Sequence, residues 1–359
     1  MLSVRRIDDL AGLTALGPTW LDLLGRCSNR NLFLTYDWTR TWWEFFGEDS
    51  DLWMLVVSDG NEIVGIAPMM LHRETHGGVP VRVLGSITNR HVSRSDFVVP
   101  ARREEVFRAL VEYWQDVSSQ WDLLRLTGVP EESGTTRLLI ESISGGGLRV
   151  FPIEAHKELC YLPVSGSWEE YVARRSHNFQ RNYVRLGNRL DELHAVSFDF
   201  DDSPASVDES MSRLFALEST GAKSVPQRTE LDDNEKRFHR ALAARFAAHG
   251  GFQNRFIVAD GVTIAGLHSI AYDGVLYALL TFYDVQYSKV SPGRAVLRHA
   301  LAASWQDTGI RRIDLNGSSP FLRTWTNHSV KLERLAIGNQ RGYSRLMAWF
   351  RHVRKTLAR

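Results

Sequence analysis

The sequence is poor in the residues that make cross-links and metal centres. Its 359 residues include two cysteines, Cys27 and Cys160, in no CxxC pair and at no metal-ligand spacing. Neither a disulfide framework nor a zinc site is indicated. No run of about 18 apolar residues occurs, so no segment reads as a membrane-spanning helix. An excess of one charge is missing too: 43 Lys and Arg face 42 Asp and Glu, for a net charge of +1. That balance excludes a globally basic nucleic-acid binder and leaves room only for a local basic stripe. HExxH, GxSxG and P-loop patterns are absent, so the zincin, α/β-hydrolase and Walker-type readings lack their signatures. The opening MLSVRRIDDL has no long apolar stretch behind its arginines and does not read as a secretory signal. These absences lead us to expect a reduced, soluble, cytoplasmic protein.

What is present is ordinary globular material, 43% hydrophobic, 11% aromatic and 24% charged. At roughly 100–200 residues per domain, two domains are expected. A repeat points the same way. LVVSDGNEIVGIAPM from Leu55 aligns without a gap with FIVADGVTIAGLHSI from Phe256, matching Val57 with Val258, Asp59 with Asp260, Gly60 with Gly261 and Gly65 with Gly266. Each reads as a strand, a two-residue Asp-Gly turn and a returning strand. A helical pattern follows in both halves, through Val106, Leu110, Tyr113 and Trp114 and then through Leu297, Ala300, Leu301 and Trp305. A strand closes each half, DLLRLTG from Asp122 and RRIDLNG from Arg311. The spacing predicts a duplicated α/β unit. The join falls near Gly145, Gly146 and Gly147 and the turn from Pro163 to Gly166, which gives domains 1–155 and 156–340, with 341–359 as a separate C-terminal helix.

Three segments carry candidate chemistry. Ser291-Pro292-Gly293 follows the apolar strand VLYALLTFY and opens a helix, with Lys289 and Arg294 alongside. The free N–H groups of a helix start bind phosphate, and glycine allows close approach. A plain helix start with a serine cap is the alternative. In the first half, the matching stretch DFVVPARREEVFRALVEYW has Pro100 but no glycine, and Glu104 and Glu105 would oppose an anion. The second segment, Ser167 to Leu193, opens on a capping-box pattern, Ser167 with Glu170. It then carries Arg174, His177, Arg181, Arg185 and Arg189 at three- and four-residue steps, opposite an apolar face. This cationic face suits a phosphate- or carboxylate-bearing partner; a solvated surface is the alternative. The third is RGYSRLMAWFRHVRKTLAR, a basic amphipathic pattern suited to an anionic membrane, to RNA or to packing on its own domain. Acid or base candidates are scattered: Asp96 with His91 and Arg94 nearby, Glu218, Asp284 and Asp314. Each is also an ordinary cap or turn position. His268 within a strand reads equally as a hydrogen-bonded core histidine.

Taken in order, RRSHNFQRNYVRLGNRL, IVADGVTIAGLHSIAYDGVLYALLTFYD, VSPGRAVLRHAL and RIDLNGSSPFLRTWTN resemble the GNAT-fold acetyltransferases of the CelD/BcsL-like group. The first half, with SDF and the GVPEES turn, resembles that group's degenerate first domain, and the whole is related to the Fem aminoacyl-tRNA-dependent peptidyltransferases. The resemblance implies an α/β (α+β) fold of two tandem GNAT-like domains, each a twisted mixed sheet flanked by helices. It implies acyl transfer, with acyl-CoA (acetyl-CoA first) as donor, no metal, and a small-molecule or carbohydrate-like amine (or hydroxyl) acceptor. Ser291, Gly293, Arg294 and Ala295 match the pyrophosphate turn. Asp96 falls where Fem-like enzymes carry an acid, and is the first candidate for the base. Arg323 and Trp325 match a Lys and Trp that commonly follow the last core strand, with Arg323 as a candidate to polarise the carbonyl. Backbone groups of Thr281, Phe282 and Tyr283 would hold the oxyanion, and Tyr283 or Tyr287 would protonate the leaving thiolate. His91, Arg181, Arg185, His268 and Trp325 are the expected acceptor contacts. No acyl-enzyme is needed, so the cysteines have no nucleophilic role. A Fem-like transferase using charged tRNA and an inactive tandem scaffold remain the alternatives; DNA is not an expected partner, and membrane contact is expected at most peripherally, through the C-terminal helix.

Overall fold

The computed structural model describes residues 1–76, 78–143, 147–221 and 230–339. The expected basic helix over 341–359, like Gly145 and Gly146 of the expected join, lies outside the described residues. The chain divides into two compact units, Met1–Glu158 with the described residues from Val330 on, and Leu159–Ser329.

The first unit begins with β1 (Ser3–Ile7), α1 (Leu10–Ala15), α2 (Gly17–Arg26) and α3 (Tyr36–Phe46). Next come β2 (Asp51–Leu52), β3 (Met54–Asp59), β4 (Glu62–Ala67), β5 (Met69–His76) and β6 (Val79–Ser86). The helix α4 (Arg103–Asp116), β7 (Leu123–Pro130), α5 (Thr135–Ser142) and β8 (Leu148–Val150) complete it. The second unit opens on β9 (Glu154–Pro163), which begins just before the boundary, then α6 (Trp168–Ala173), α7 (His177–Asp191) and β10 (Ser197–Asp201). It continues with α8 (Val207–Gly221), α9 (Asp233–Ala247), β11 (Phe252–Ala259), β12 (Val262–Tyr272) and β13 (Val275–Tyr283). The last elements are α10 (Pro292–Ser304), β14 (Arg312–Asp314), α11 (Pro320–Trp325) and β15 (Ser329–Asn339). No described helix is long and apolar enough to cross a membrane.

The fold is α/β with mixed sheets, and the repeat is visible in it. In each unit an antiparallel hairpin leads to a strand, a helix and a strand parallel to the one before the helix. The parallel ladder is three residues long in both: Val83–Gly85 against Leu123–Arg125, and Val275–Tyr277 against Arg312–Asp314. The two hairpins turn differently, however. In the second, Asp260 and Gly261 both have positive φ, as a two-residue turn on Asp-Gly requires. In the first, Asp59 pairs with Glu62, so the turn residues are Gly60 and Asn61, and of Asp59 and Gly60 only the glycine has positive φ.

Proline divides the first unit's sheet. The continuous strands β11 and β12 correspond to the pairs β2–β3 and β4–β5, interrupted at Trp53 and Pro68. Lacking an N–H, Pro68 cannot donate to a ladder. The result is one sheet of order β1-β3-β4 and a second containing β2, β5, β6, β7 and β15. In the second unit Ser269 aligns with Pro68, and there the strand stays whole with a register shift between His268 and Ser269.

The last strand differs from the expected boundary at 340. β15 pairs antiparallel with β7, from Leu332 opposite Pro130 to Gly338 opposite Leu123, and Leu335 and Ile337 join the first unit's core. The second unit's sheet, β10-β11-β12-β13-β14-β9, has a core on each face. α7, α10 and α11 cover Ile257, Leu267, Leu276 and Ile313; α8 covers Phe252, Phe256 and Phe282.

Candidate active site

The site forms where β13 hands over to α10. Across from β12, Leu279 has no partner, because His268 pairs with Leu280 and Ser269 with Ala278. The extra residue reverses the alternation of side chains. Leu276 and Ala278 face the core under α10, while Leu280 and Phe282 face the opposite one. Thr281 and Tyr283 are thereby turned onto the α10 side, where both line a pocket. Beside them the parallel ladder to β14 ends at Tyr277, so the two strands diverge.

Beyond β13, the Asp284 carboxylate accepts from the Gln286 N–H (2.9 Å) and starts a short 3₁₀ turn over Val285–Val290. Ser291 then takes a left-handed conformation (φ 55°) and Pro292 starts the helix. Ser291 is not a side-chain cap: its hydroxyl accepts nothing from the first turn, which also lacks acidic residues. Gly293 is required by packing, since a Cβ there would lie 2.9 Å from Cδ1 of Tyr283. The positive end of a 13-residue helix thus carries no intrinsic anion of its own.

Two pockets meet at this turn and share Ser291, Arg294 and Phe321. One, about 660 Å³, runs along Thr281, Tyr283, Ser288 and Gly293. The other, about 580 Å³, lies between α7, the α10 turn and α11. Five arginines line it, Arg175, Arg185, Arg189, Arg294 and Arg323, and none of its described lining residues is acidic. Its aromatic side includes Phe179, Tyr183 and Trp325; Trp325 is buried, stacked near Trp168 and edge-on to Phe179. The Tyr171 hydroxyl donates to the Trp325 carbonyl, and burial pushes that phenol up to about 12.

The arginine face differs from the one read along a single helix. Ser176 caps a new helix, accepting from the Phe179 N–H (3.3 Å), so the phase is reset between α6 and α7. Ser167 likewise caps α6, but the Glu170 carboxylate pairs with Arg174 (3.2 Å) instead of closing a capping box. Arg174 and Arg181 are outside the pocket, the latter donating to Asn178 Oδ1 (3.3 Å), while Arg175, absent from the predicted stripe, is inside it. Gly187 lets Arg298 of α10 cross the helix over the Tyr183 ring, 4.0 Å from its centroid.

The remaining sequence candidates divide between these pockets and structural duty. Arg323 lines the arginine pocket from a helix, α11, rather than a loop. Ala295 is buried in the core, Phe282 faces the α8 side, and Tyr287 packs against the core outside both pockets. His268 is fully buried beside Asn254, with 2.7 Å between Nδ1 and Asn254 Oδ1. Because the Asn254 amide N–H donates to Ser210, its oxygen faces the ring and Nδ1 carries the proton. Burial pushes this imidazole down to about 3. It is a core histidine and lines neither pocket. His91 in the first unit stacks on Phe46.

Each acid considered as a base is engaged locally. Asp96, 5% exposed, accepts from Thr135 Oγ1 (2.6 Å), Asn29 Nδ2 (2.7 Å) and the Phe97 N–H (2.8 Å). Glu218 accepts from the Leu231 N–H (2.7 Å) and pairs with Lys236 (3.2 Å). Asp314 accepts from the Asn316 N–H (2.9 Å), and Asp284 serves the turn described above.

Comparison with known proteins agrees with the geometry. A family model described as an acetyltransferase (GNAT) domain matches residues 177–321, which run from the start of α7 to the start of α11 and include the turn Ser291–Arg294. The second unit therefore has a GNAT-type fold. FemX has a similar fold, with TM-score 0.62 and 11% identity over 89% of this chain and 95% of that one. So does the C-terminal domain (DUF2156) of an Agrobacterium fabrum protein named as a lysylphosphatidylglycerol synthetase, with TM-score 0.54 and 10% identity over 95% of each chain. L-PGS from Bacillus licheniformis gives TM-score 0.51 and 12% identity over 91% of each chain. At these identities the likeness is one of fold. No curated protein matches the chain.

Proposed function

We propose that this protein is an acyl-CoA-dependent acyltransferase, related in specificity to the CelD/BcsL-like group. It moves an acyl group, acetyl in first place, to an amine or hydroxyl of a small or carbohydrate-like acceptor. The observation that carries this reading is the turn Ser291–Arg294. It is a left-handed entry to α10 with no acid in its first turn, and it opens on a pocket along the diverging end of β13. In this reading the turn holds the donor's pyrophosphate and the thioester lies along Thr281 and Tyr283. The acceptor nitrogen attacks the thioester carbonyl carbon, the C–S bond breaks with its electron pair on sulfur, and the Tyr283 hydroxyl supplies the thiolate's proton. Neither pocket has a carboxylate among its described lining residues, so the acceptor ammonium loses its proton to water before the free amine attacks, and Tyr283 regains a proton from water after the thiol leaves. Asp96 is assigned the structural role its three donors give it. The reading places the protein in the cytoplasm, in keeping with Cys27 and Cys160 as buried free thiols.

The test is a thermal-shift titration with acetyl-CoA, longer acyl-CoAs and CoA. Binding to the folded state alone stabilises by about 2.7 kcal/mol at a hundredfold excess over Kd. A saturable rise is expected with acetyl-CoA, and a flat response to every CoA compound overturns the reading. One observation favours a second reading, a Fem-like transferase with aminoacyl-tRNA as donor: the fold similarity to FemX runs through 89% of the chain. A shift with tRNA that collapses as salt rises, together with no response to CoA, would put that reading first.

A further inference from the structure

We infer that the arginine pocket between α7 and α11 is a second phosphate subsite, adjoining the turn Ser291–Arg294 but distinct from it. The inference rests on the donor reading only for what occupies the turn.

The argument is electrostatic. Arg185 and Arg189 stand one turn apart on α7, and like charges at that spacing destabilise a helix. Arg175, Arg294 and Arg323 bring three more guanidiniums to the same cavity of about 580 Å³, with no acid in the described lining. The chain's overall charge is balanced, so this concentration is local and not a by-product of a basic composition. At Arg175, Arg185 and Arg294 the described contacts use few of the guanidinium donors. Arg175 donates from Nη2 to the Thr324 carbonyl (2.7 Å), while its buried Nε has no hydrogen-bond partner among the described residues. Arg185 donates to Asn182 Oδ1 (2.8 Å), and Arg294 lies over the Phe321 ring. The planar, multi-donor guanidinium suits the several oxygens of a phosphate better than a single carboxylate.

The pocket's shape narrows the class further. Tyr183 and Phe321, both half-buried, offer aromatic surface beside the charges, so the ligand is a phosphate carried on an apolar or flat body. Two sources offer that chemistry. One is the donor itself, through the 3′-phosphate that CoA carries on its adenosine; the other is a phosphorylated acceptor.

Calorimetric titration of the full-length protein tests the subsite, with inorganic pyrophosphate, CoA and 3′-dephospho-CoA at low salt. Arg185→Gln/Arg189→Gln is the variant, with its melting curve checked against wild type. Pyrophosphate is expected to bind the wild type and to weaken about tenfold or more in the double variant, from the loss of charge-assisted hydrogen bonds. If the donor supplies the phosphate, wild type prefers CoA to 3′-dephospho-CoA and the double variant loses that preference. If the acceptor supplies it, the two CoA forms bind alike and pyrophosphate still binds with CoA saturating. Pyrophosphate binding unchanged by the double substitution, or absent in the wild type, overturns the subsite. Failure of CoA alone overturns the donor reading and leaves the pyrophosphate result to decide this one.

Discussion

Arg102 and Ser291 occupy the same place in the two repeats: each is the left-handed residue (φ 53° and 55°) directly before the helix that follows the inner strands, and neither caps it with a side chain. Their side chains make the two helix starts opposites. The Arg102 guanidinium reaches back to Asp59 at the end of β3 (2.7 Å) and forward to Glu105 (2.7 Å), holding both carboxyls below their ordinary range. The first unit's helix start is therefore filled by its own ion pairs, and the second opens on a pocket. Duplication supplied two such starts, and side-chain chemistry left one for a ligand.

The first prediction concerns Gly293. Replacing it with valine sets the new side chain against the Tyr283 ring, which has to leave its place in the pocket. We expect KM for acetyl-CoA to rise about tenfold or more, as for one lost charge-assisted contact, with far-ultraviolet circular dichroism unchanged. Wild-type KM in the variant refutes the placement of the donor at this turn.

Asp96 is the second. Alanine there strands the buried donors of Thr135 and Asn29 and the Phe97 N–H. The expected loss is about 2–3 kcal/mol in chemical denaturation, while Asp96→Asn still binds CoA as wild type does. An Asp96→Asn protein of full stability but without turnover would restore Asp96 as the base.

His268 makes stability depend on pH. Its folded form stays neutral down to about pH 3, whereas the unfolded imidazole protonates near its ordinary 6.5. Protons therefore favour the unfolded state, and stability falls by about 1.4 kcal/mol for each pH unit below that point. Guanidinium unfolding at pH 7, 6 and 5 should show a shallower decline for His268→Gln than for wild type; parallel curves contradict the assignment.

Glu74 acts in a more acidic range. Burial opposes its charge, but hydrogen bonds from Arg125, His76 and His72 overcome that and hold its carboxyl down to about 2. The stability it contributes is present above about pH 4.5 and disappears as pH falls from there toward 2. Glu74→Gln is expected to be less stable than wild type at pH 6, with the gap closing at the acid end of a thermal-melt series.

Much of this molecule follows from local sequence. Asp-Gly flanked by apolar alternation placed both hairpins, though the first turns on Gly60 and Asn61, and Ser-Pro-Gly after an apolar strand is enough for a helix start, because turn geometry and proline's fixed φ act within a few residues. The arginines of this segment were legible as a cationic face, though the break at Ser176 divides it between two helices and changed its members: Arg175, in the connection, lines the pocket, and Arg174 and Arg181 do not. Other features were settled only by tertiary contacts. The unpaired Leu279, which turns Thr281 and Tyr283 toward the pocket, is a matter of register between two strands, and neither strand's sequence encodes it alone. The destination of β15 depends on its partner β7, about 200 residues earlier, since main-chain pairing carries no residue code. Burial likewise decided the surroundings of Asp96 and His268: the same side chains can stand in a wet cleft or hydrogen-bonded in a core, and only packing determines which solvent they see.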